Sequence, residues 1–295
     1  MNKNVLIVLI VVGLIILNLA GCITDTNDSK DDNIPSGLYV SSLGDKEFKS
    51  IQGAIDSAQN NETVYVFSGL YNESIVINKT IRLLGENPST TIINGIGSED
   101  IITVTNAESC NISGFTIQNS DLSNAGIKLN TPKNNVSNNI LKNNYDGIYA
   151  NNANKNFIYN NSFVSNSRYG IYLSSSDDNV VKNNLFSSND YGIRIKARYN
   201  KVMENQFLNN EKGLFFCCYA EKNIAYRNTF INNSDYNGKD TVDGATWYNS
   251  KISQGNYWDD YSGIDADNDG IGDTPYNITS DGSEQDRYPL ITPLT

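Results

Sequence analysis

A motif of the form Val/Ile-x-x-Asn-x-Leu/Phe-x-x-Asn recurs along the chain, starting at Val136, Ile158, Val181 and Val202, with Ala225 opening a fifth copy. The steps are 22, 23, 21 and 23 residues. One Asn column runs Asn139, Asn161, Asn184, Asn205, Asn228, and a second runs Asn144, Asn166, Asn189, Asn210, Asn233. Between them lies an apolar column, Leu141, Phe163, Phe186, Phe207 and Phe230, and a Gly column follows at Gly147, Gly170, Gly192 and Gly213. A degenerate earlier copy begins at Ile112 and passes through Phe115, Ile117, Ser120 and Gly126. A period this short and this regular is the mark of stacked supersecondary units.

Each unit holds three short β-type runs separated by Asn or Gly, too short to form a sheet alone. Stacking the units in parallel lets every run pair with the one a period later. The predicted fold is all-β, a single-stranded right-handed parallel β-helix whose coils rise about 4.8 Å each. Aligned Asn residues in left-handed turns would hydrogen-bond their counterparts one coil on, while Phe, Leu and Ile stack along the axis. These columns are therefore assigned to scaffold. A leucine-rich repeat would show Leu at most apolar positions and a helical stretch, and neither is present.

The upstream residues fit the same plan. Glu47 to Gln59 places Phe48, Ile51, Ile55 and Ala58 on one helical face, a plug for the open end of a solenoid. Short β runs follow at Thr63–Phe67, Ser74–Ile77, Ile81–Leu84 and Thr91–Ile93. The expected organisation is a strand and capping helix over 38–61, repeats over 62–245 and an irregular C-terminal cap over 246–295.

Composition narrows the function. The chain has 33 acidic and 22 basic residues, a net charge of −11, which disfavours nucleic acid as a partner. It has 46 Asn and no His, so the commonest general base and transition-metal ligand is missing. At the N-terminus, Lys3 precedes an apolar run from Val5 to Leu17, the grammar of a secretory signal. Leu19-Ala20-Gly21-Cys22 resembles the lipobox of prokaryotic lipoproteins, which implies a signal peptide over 1–22 and a lipid on Cys22. The acidic segment 23–37 reads as a stalk, so the expected location is extracytoplasmic, anchored to a membrane.

The segments SIQGAIDSA, TVYVFSGLYNESIVINKTIRLLGE, TIING and NISGFTIQNS, with GNYWDDYSG, DGIGDTPY and DRYPL in the tail, resemble NosD-type β-helix proteins. That family belongs with the wider carbohydrate-binding and sugar-hydrolase solenoids, pectin-lyase-like in fold. The resemblance implies a periplasmic accessory role in supplying copper to a nitrous oxide reductase. Ligand chemistry weighs against copper on this chain, because Cu(I) favours thiolate or thioether and Cu(II) favours imidazole. Beyond Cys22 there are Cys110, Cys217 and Cys218, and Met203 is the one Met after the signal. Cys110 and Cys217 lie on the order of 24 Å apart along the axis. On a strand Cys217 and Cys218 point to opposite faces, which makes them buried structural residues.

Two sites follow from the residues. Asp265-x-Asp267-x-Asp269-Gly270-Ile271-Gly272-Asp273 reproduces the first half of a calcium loop, with the Ile271 carbonyl at the seventh position. Tyr276 replaces the bidentate Glu at the twelfth, leaving Asp281 or Asp286 to complete a structural calcium site. The second site is an outward stripe, Lys128, Tyr149, Tyr172, Arg194 and Phe215, with Tyr169 and Tyr191 beside it. Aromatic faces suit sugar rings and cations suit uronate carboxylates, while the same rings are equally a ladder that stabilises neighbouring strands. Asp177-Asp178 and Arg194-Ile195-Lys196 resemble polygalacturonase blocks, and Asp190, Arg194 and Arg198 resemble a loose lyase cluster. The constellations are incomplete, so the reading is a non-catalytic surface protein that binds a polysaccharide, a surface-layer glycan or a partner protein. A copper-supplying accessory protein and a polysaccharide lyase or hydrolase are the alternatives.

Overall fold

The computed structural model describes residues 36–97, 99–279 and 282–294. The expected signal peptide, Cys22, most of the stalk and Asp281 lie outside the described residues. Among the described residues, twenty-eight short strands and one helix succeed one another; the strands assemble into three long parallel sheets, A and B of nine strands each and C of eight, and the last two form a small antiparallel pair. Every coil contributes one strand to each sheet in the order A, B, C. In the coil around residue 140 these are Asn135–Ser137, Ile140–Lys142 and Asp146–Asn151. The chain is a parallel β-helix.

Register follows the sequence period. Val136 pairs with Ile158, Ile158 with Val181, Val181 with Val202 and Val202 with Ala225, a column of inward side chains in sheet A. In sheet B, Leu141, Phe163, Phe186, Phe207 and Phe230 pair in the same way. The Phe rings stack at centroid separations of 4.8, 4.9 and 4.7 Å, all within 11° of parallel. Trp258 continues the stack on Phe230 at 4.5 Å and Tyr276 lies on Trp258 at 4.4 Å. One ring per coil thus holds the axial spacing at the value strand pairing requires.

The polar columns form buried ladders. The backbone N–H and the Nδ2 of Asn161 both donate to Asn184 Oδ1, at 2.9 and 3.1 Å, and each rung repeats this to the next coil. Nδ2 also donates to a main-chain carbonyl, Val136 O for Asn161, so the buried amide is satisfied on every side. A third ladder, Asn134, Asn156, Asn179, Asn200 and Asn223, runs along the corner between sheets C and A. Sequence reading did not isolate this column. The left-handed conformation belongs to the residue before the ladder Asn: Asn138, Asn160 and Asn183 have φ of 54°, 54° and 56°. The turn and the ladder are therefore separate tasks held by adjacent residues, not one task held by the aligned Asn.

The capping helix is Ile51–Ser57, shorter than the periodicity predicts. Phe48 instead continues the chain as a bridge to Val40, and Ser50 caps the helix by accepting from Gly53 N at 3.2 Å. Side chains of the first coil clamp the helix ends. Glu73 accepts from Ile51 N and Gln52 N at 2.9 and 3.0 Å, while Lys79 Nζ donates to Asp56 O and Ala58 O at 2.6 and 2.7 Å. A carboxylate at the N-terminus and an ammonium at the C-terminus offset the helix dipole.

Candidate functional site on the outer face of sheet C

Sheet C has the longest strands, Asp146–Asn151, Tyr169–Ser174 and Tyr191–Lys196 among them, so it offers the broadest regular surface. Alternation sends Ile148, Ile171 and Ile193 inward and leaves their neighbours outside. Three outward columns result. One reads Asp146, Tyr169, Tyr191, Lys212 and Tyr236, and the next reads Lys128, Tyr149, Tyr172, Arg194, Phe215 and Lys239. The third begins Asn151, Ser174, Lys196.

The central stripe is contiguous, as the repeat predicts, but its ring faces are already occupied. Tyr149 and Tyr172 stack on each other at 5.3 Å and 14°. Lys128 covers the far side of the Tyr149 ring at 6.0 Å, and Arg194 sits between Tyr172 at 5.5 Å and Phe215 at 5.7 Å. Rings packed along the axis present edges and hydroxyls to solvent, so a sugar ring finds no free aromatic face within the stripe. Tyr169 is only 2% exposed; Arg168 lies over its ring at 4.3 Å and Arg194 Nη1 donates to its hydroxyl at 2.6 Å. It is a packing element of the ladder, in contrast to the half-exposed Tyr149, Tyr172, Tyr191, Arg194 and Phe215.

Cations dominate what remains accessible. Lys128 pairs with Asp100 at 3.0 Å, and Lys212 pairs with Asp190 at 2.9 Å and Glu211 at 2.5 Å. Arg168, Arg194, Lys196 and Lys239 form no direct ion pair among the described residues. Burial pushes the Asp146 carboxyl up to about 6, against the pull of the Arg168 charge. Shallow grooves flank the face. One of about 410 Å³ is lined by Val76, Asp100, Thr103 and Asn124, another of about 410 Å³ by Asp177, Lys196, Arg198 and Tyr219. Arg168 and Lys196, absent from the sequence-derived site, enter it because the turn before each strand and its third outward position border the same surface.

Of the residues that resemble enzyme blocks, Asp177, Lys196 and Arg198 line one groove, and their polar groups are largely committed to local partners. Asp177 Oδ1 accepts from Arg198 N at 2.8 Å, and the exposed Asp178 sits in the turn at φ 59°. Arg198 pairs with Glu221 at 2.7 Å, and Asp190 with Lys212.

In the Asp-rich loop, Asp265, Asp267 and Asp269 each bring a carboxylate oxygen within 4.8 Å of the others. Those oxygens accept from the loop's own backbone: Asp265 from Asp269 N and Gly270 N, Asp269 from Ile271 N at 2.8 Å. Asp273 turns back to Ala266 N at 2.9 Å, and Ile271 bridges Leu290. Asp286 is fully buried elsewhere in the cap, accepting from Asn256 N at 2.6 Å, Trp258 Nε1 at 2.9 Å and Tyr288 N at 3.1 Å, so it is committed to other partners.

Among the described residues, Cys110 lies in an earlier coil than the adjacent Cys217 and Cys218, and Met203 lies on a strand of sheet A. Cys110 is buried with its thiol directed to Lys79 O, and Met203 Sδ accepts from Tyr226 OH at 2.8 Å. Cys217 is buried beneath Arg194, outside the apolar core, while Cys218 is exposed because a left-handed turn interrupts strand alternation there. The chain has no imidazole to add to these donors.

Coils of three short parallel strands, closed by a helix at one end and an aromatic cap at the other, define a parallel β-helix with one cationic sheet face. The chain belongs to the NosD family: the family model described as periplasmic copper-binding protein (NosD) matches residues 55–263. A probable ABC transporter binding protein NosD from Pseudomonas aeruginosa is 33% identical over 78 residues. That match covers 26% of this chain and 18% of the relative. Among solved structures, a Geobacillus virus E2 protein, ORF18, aligns at 16% identity and TM-score 0.48 over 65% of this chain and 49% of its own. The pectin methylesterase of Aspergillus niger aligns at 13% identity and TM-score 0.46 over 75% and 86%. The pectin methylesterase PemA of Erwinia chrysanthemi aligns at 14% and 0.45 over 80% and 74%.

Proposed function

We propose that this chain is a non-catalytic, extracytoplasmic β-helix whose sheet C holds an extended acidic saccharide. One observation carries the reading: in a chain of net charge −11, Arg194, Lys196 and Lys239 share one sheet face with no ion-paired carboxylate among the described residues, and Arg168 beside them has only the buried Asp146 as a carboxylate neighbour. Cations one and two coils apart suit a polymer that repeats its carboxylates, and the ring edges and Tyr hydroxyls suit sugar hydroxyls. Binding of the purified chain to polygalacturonate and to a neutral glucan of equal length tests this. The expected result is binding to the polyuronate alone, weakened by salt and lost in a Lys196→Ala/Lys239→Ala variant. Equal binding to both polymers, or to neither, overturns it, and capture of an acidic protein segment in place of the saccharide identifies the face as a protein-docking surface.

Family membership favours a second reading, an accessory role in metalloenzyme copper supply. In this reading a partner carries the copper, which is supported by the absence of imidazole from this chain. Copper measured on the purified protein after dialysis at well below one ion per chain fits that arrangement; a stoichiometric tightly held ion contradicts it.

The loop from Asp265 to Asp273 is proposed to take calcium as a structural ion, since three neighbouring carboxylates repel unless neutralised. Cys22 is proposed to carry the lipid anchor, and Cys22→Ala would then release the protein from membranes.

A further inference from the structure

Where Cys217 and Cys218 lie, the chain leaves sheet C and changes direction. Cys217 N still donates to Ile195 O at 3.0 Å, so the first cysteine keeps the sheet register. Cys218 has φ 54° and Tyr219 φ 76°, two successive non-glycine residues in the left-handed region. Such residues are uncommon singly and carry a conformational cost when they are bulky. In the two coils around Asn152 and Ser175, the equivalent turn position is taken by a small polar residue with φ 52° and 48°.

The turn changes what the two thiols can do. On a flat strand adjacent side chains point to opposite faces. Here the left-handed step at Cys218 breaks that alternation, and the two thiols influence each other electrostatically. Cys217 is 2% exposed and accepts from Arg194 Nε at 3.4 Å, whereas Cys218 is open to solvent. One thiol is thus accessible to an external oxidant, and the other is held behind it, where burial pushes the Cys217 thiol up and the neighbouring Arg194 guanidinium pulls against that shift.

We infer that Cys217 and Cys218 form a vicinal dithiol that closes to an intramolecular disulfide when a small disulfide oxidant reaches the edge of sheet C. The Cys218 thiolate attacks one sulfur of the oxidant, releasing one thiol and leaving a mixed disulfide on Cys218. Cys217 then loses its proton, attacks the Cys218 sulfur and expels the second thiol. Two protein thiols are oxidised and one disulfide is reduced to two thiols, so atoms and electrons balance. Adjacent Cα atoms are about 3.8 Å apart, closer than in ordinary disulfides, so ring closure needs a turned backbone, which this segment already has. The inference draws on the extracytoplasmic reading only for the compartment in which such oxidants persist.

The test uses the full chain and oxidised glutathione, independent of any saccharide. Mass analysis of the peptide carrying both residues is expected to show loss of two hydrogens and no glutathione. Cys217→Ser is expected to stop at the mixed disulfide, raising the glutathione adduct on Cys218 roughly tenfold over the parent chain. Cys218→Ser is expected to leave Cys217 unmodified, because burial shields it. A parent chain that accumulates the Cys218 adduct to the same level as Cys217→Ser overturns the inference, as does one that joins to a second chain through Cys218. Failure to bind polyuronate would leave this result untouched.

Discussion

Asp286 ends the first asparagine ladder where Asn256 would otherwise have no rung beyond it. The Asn256 backbone N–H and Nδ2 donate to Asp286 Oδ2 at 2.6 and 3.2 Å, the same pair of bonds each Asn makes to the next. Trp258 Nε1 joins the same oxygen and Tyr288 N the other. Gly255 is required there, since a Cβ would lie 1.7 Å from Asp286 Oδ1. The GNYW and DRYPL segments are therefore the two halves of one terminal clamp. Asp286→Ala leaves several buried donors unsatisfied and should cost about 3 kcal/mol or more. Asp286→Asn keeps the acceptor that faces Asn256 and should cost roughly half of that, as read by denaturant unfolding.

The same cap should make stability fall as pH rises. Burial, reinforced by the neighbouring Asp240 charge, pushes Glu284 up to about 7, and burial lifts Asp286 to about 6 despite its donors. A carboxyl raised in the folded state binds its proton more tightly there than in the unfolded chain. Its contribution is complete below the unfolded pKa and is lost as pH climbs through the folded one. The melting temperature should therefore drop by several degrees between about pH 4.5 and about pH 7.5, and Glu284→Gln should flatten much of that slope. A melting temperature that rises steadily across this window would contradict the assignment.

Close approach explains the glycine column. A Cβ on Gly170 would stand 2.5 Å from Gly192 O and 2.7 Å from Phe186 Cδ1, although its φ is not left-handed. Gly170→Ala should destabilise by about 2–3 kcal/mol. Gly97, whose added Cβ would meet nothing within 4 Å, is the control, and Gly97→Ala should stay within about 0.5 kcal/mol.

Stability and binding should separate on sheet C. Tyr172→Ala removes a stacked ring and the contact that Arg194 makes with it, and should cost about 2 kcal/mol. Lys196→Ala should leave the melting temperature within about two degrees while weakening polyuronate binding. If Tyr172→Ala lowers affinity without any loss of stability, the rings are a recognition platform after all.

Calcium offers a further readout. Saturating calcium should raise the melting temperature by a few degrees, and Asp267→Asn should abolish the increase. An unchanged melting curve with and without chelator would assign the three carboxylates to turn capping alone.

Much of the fold was legible because a coil of fixed length converts sequence period into spatial contact. Val136, Ile158 and Val181 are neighbours for no other reason, and the same holds for Leu141 and Phe163. The third ladder was equally regular, since Asn134, Asn156 and Asn179 each lie two residues before Val136, Ile158 and Val181, but it falls just outside the repeat motif, which was read from that apolar column onward. The calcium-type spacing was visible at once, yet Asp286 was read as a spare ligand because chain proximity says nothing about which side of the cap a carboxylate faces.

By itself the sequence determined that short strands must pair one period apart, that Asn and Phe must pile into columns, and that few catalytic templates are open to a chain without His. Those outcomes depend only on the identities of residues and the distance between them along the chain. Tertiary structure alone decided that the Tyr149 and Tyr172 ring faces are spent on each other, that Tyr169 is buried and that Cys218 faces solvent. Ring orientation and exposure arise from how side chains on adjacent coils fill the space between them, a property of packing that no single repeat contains.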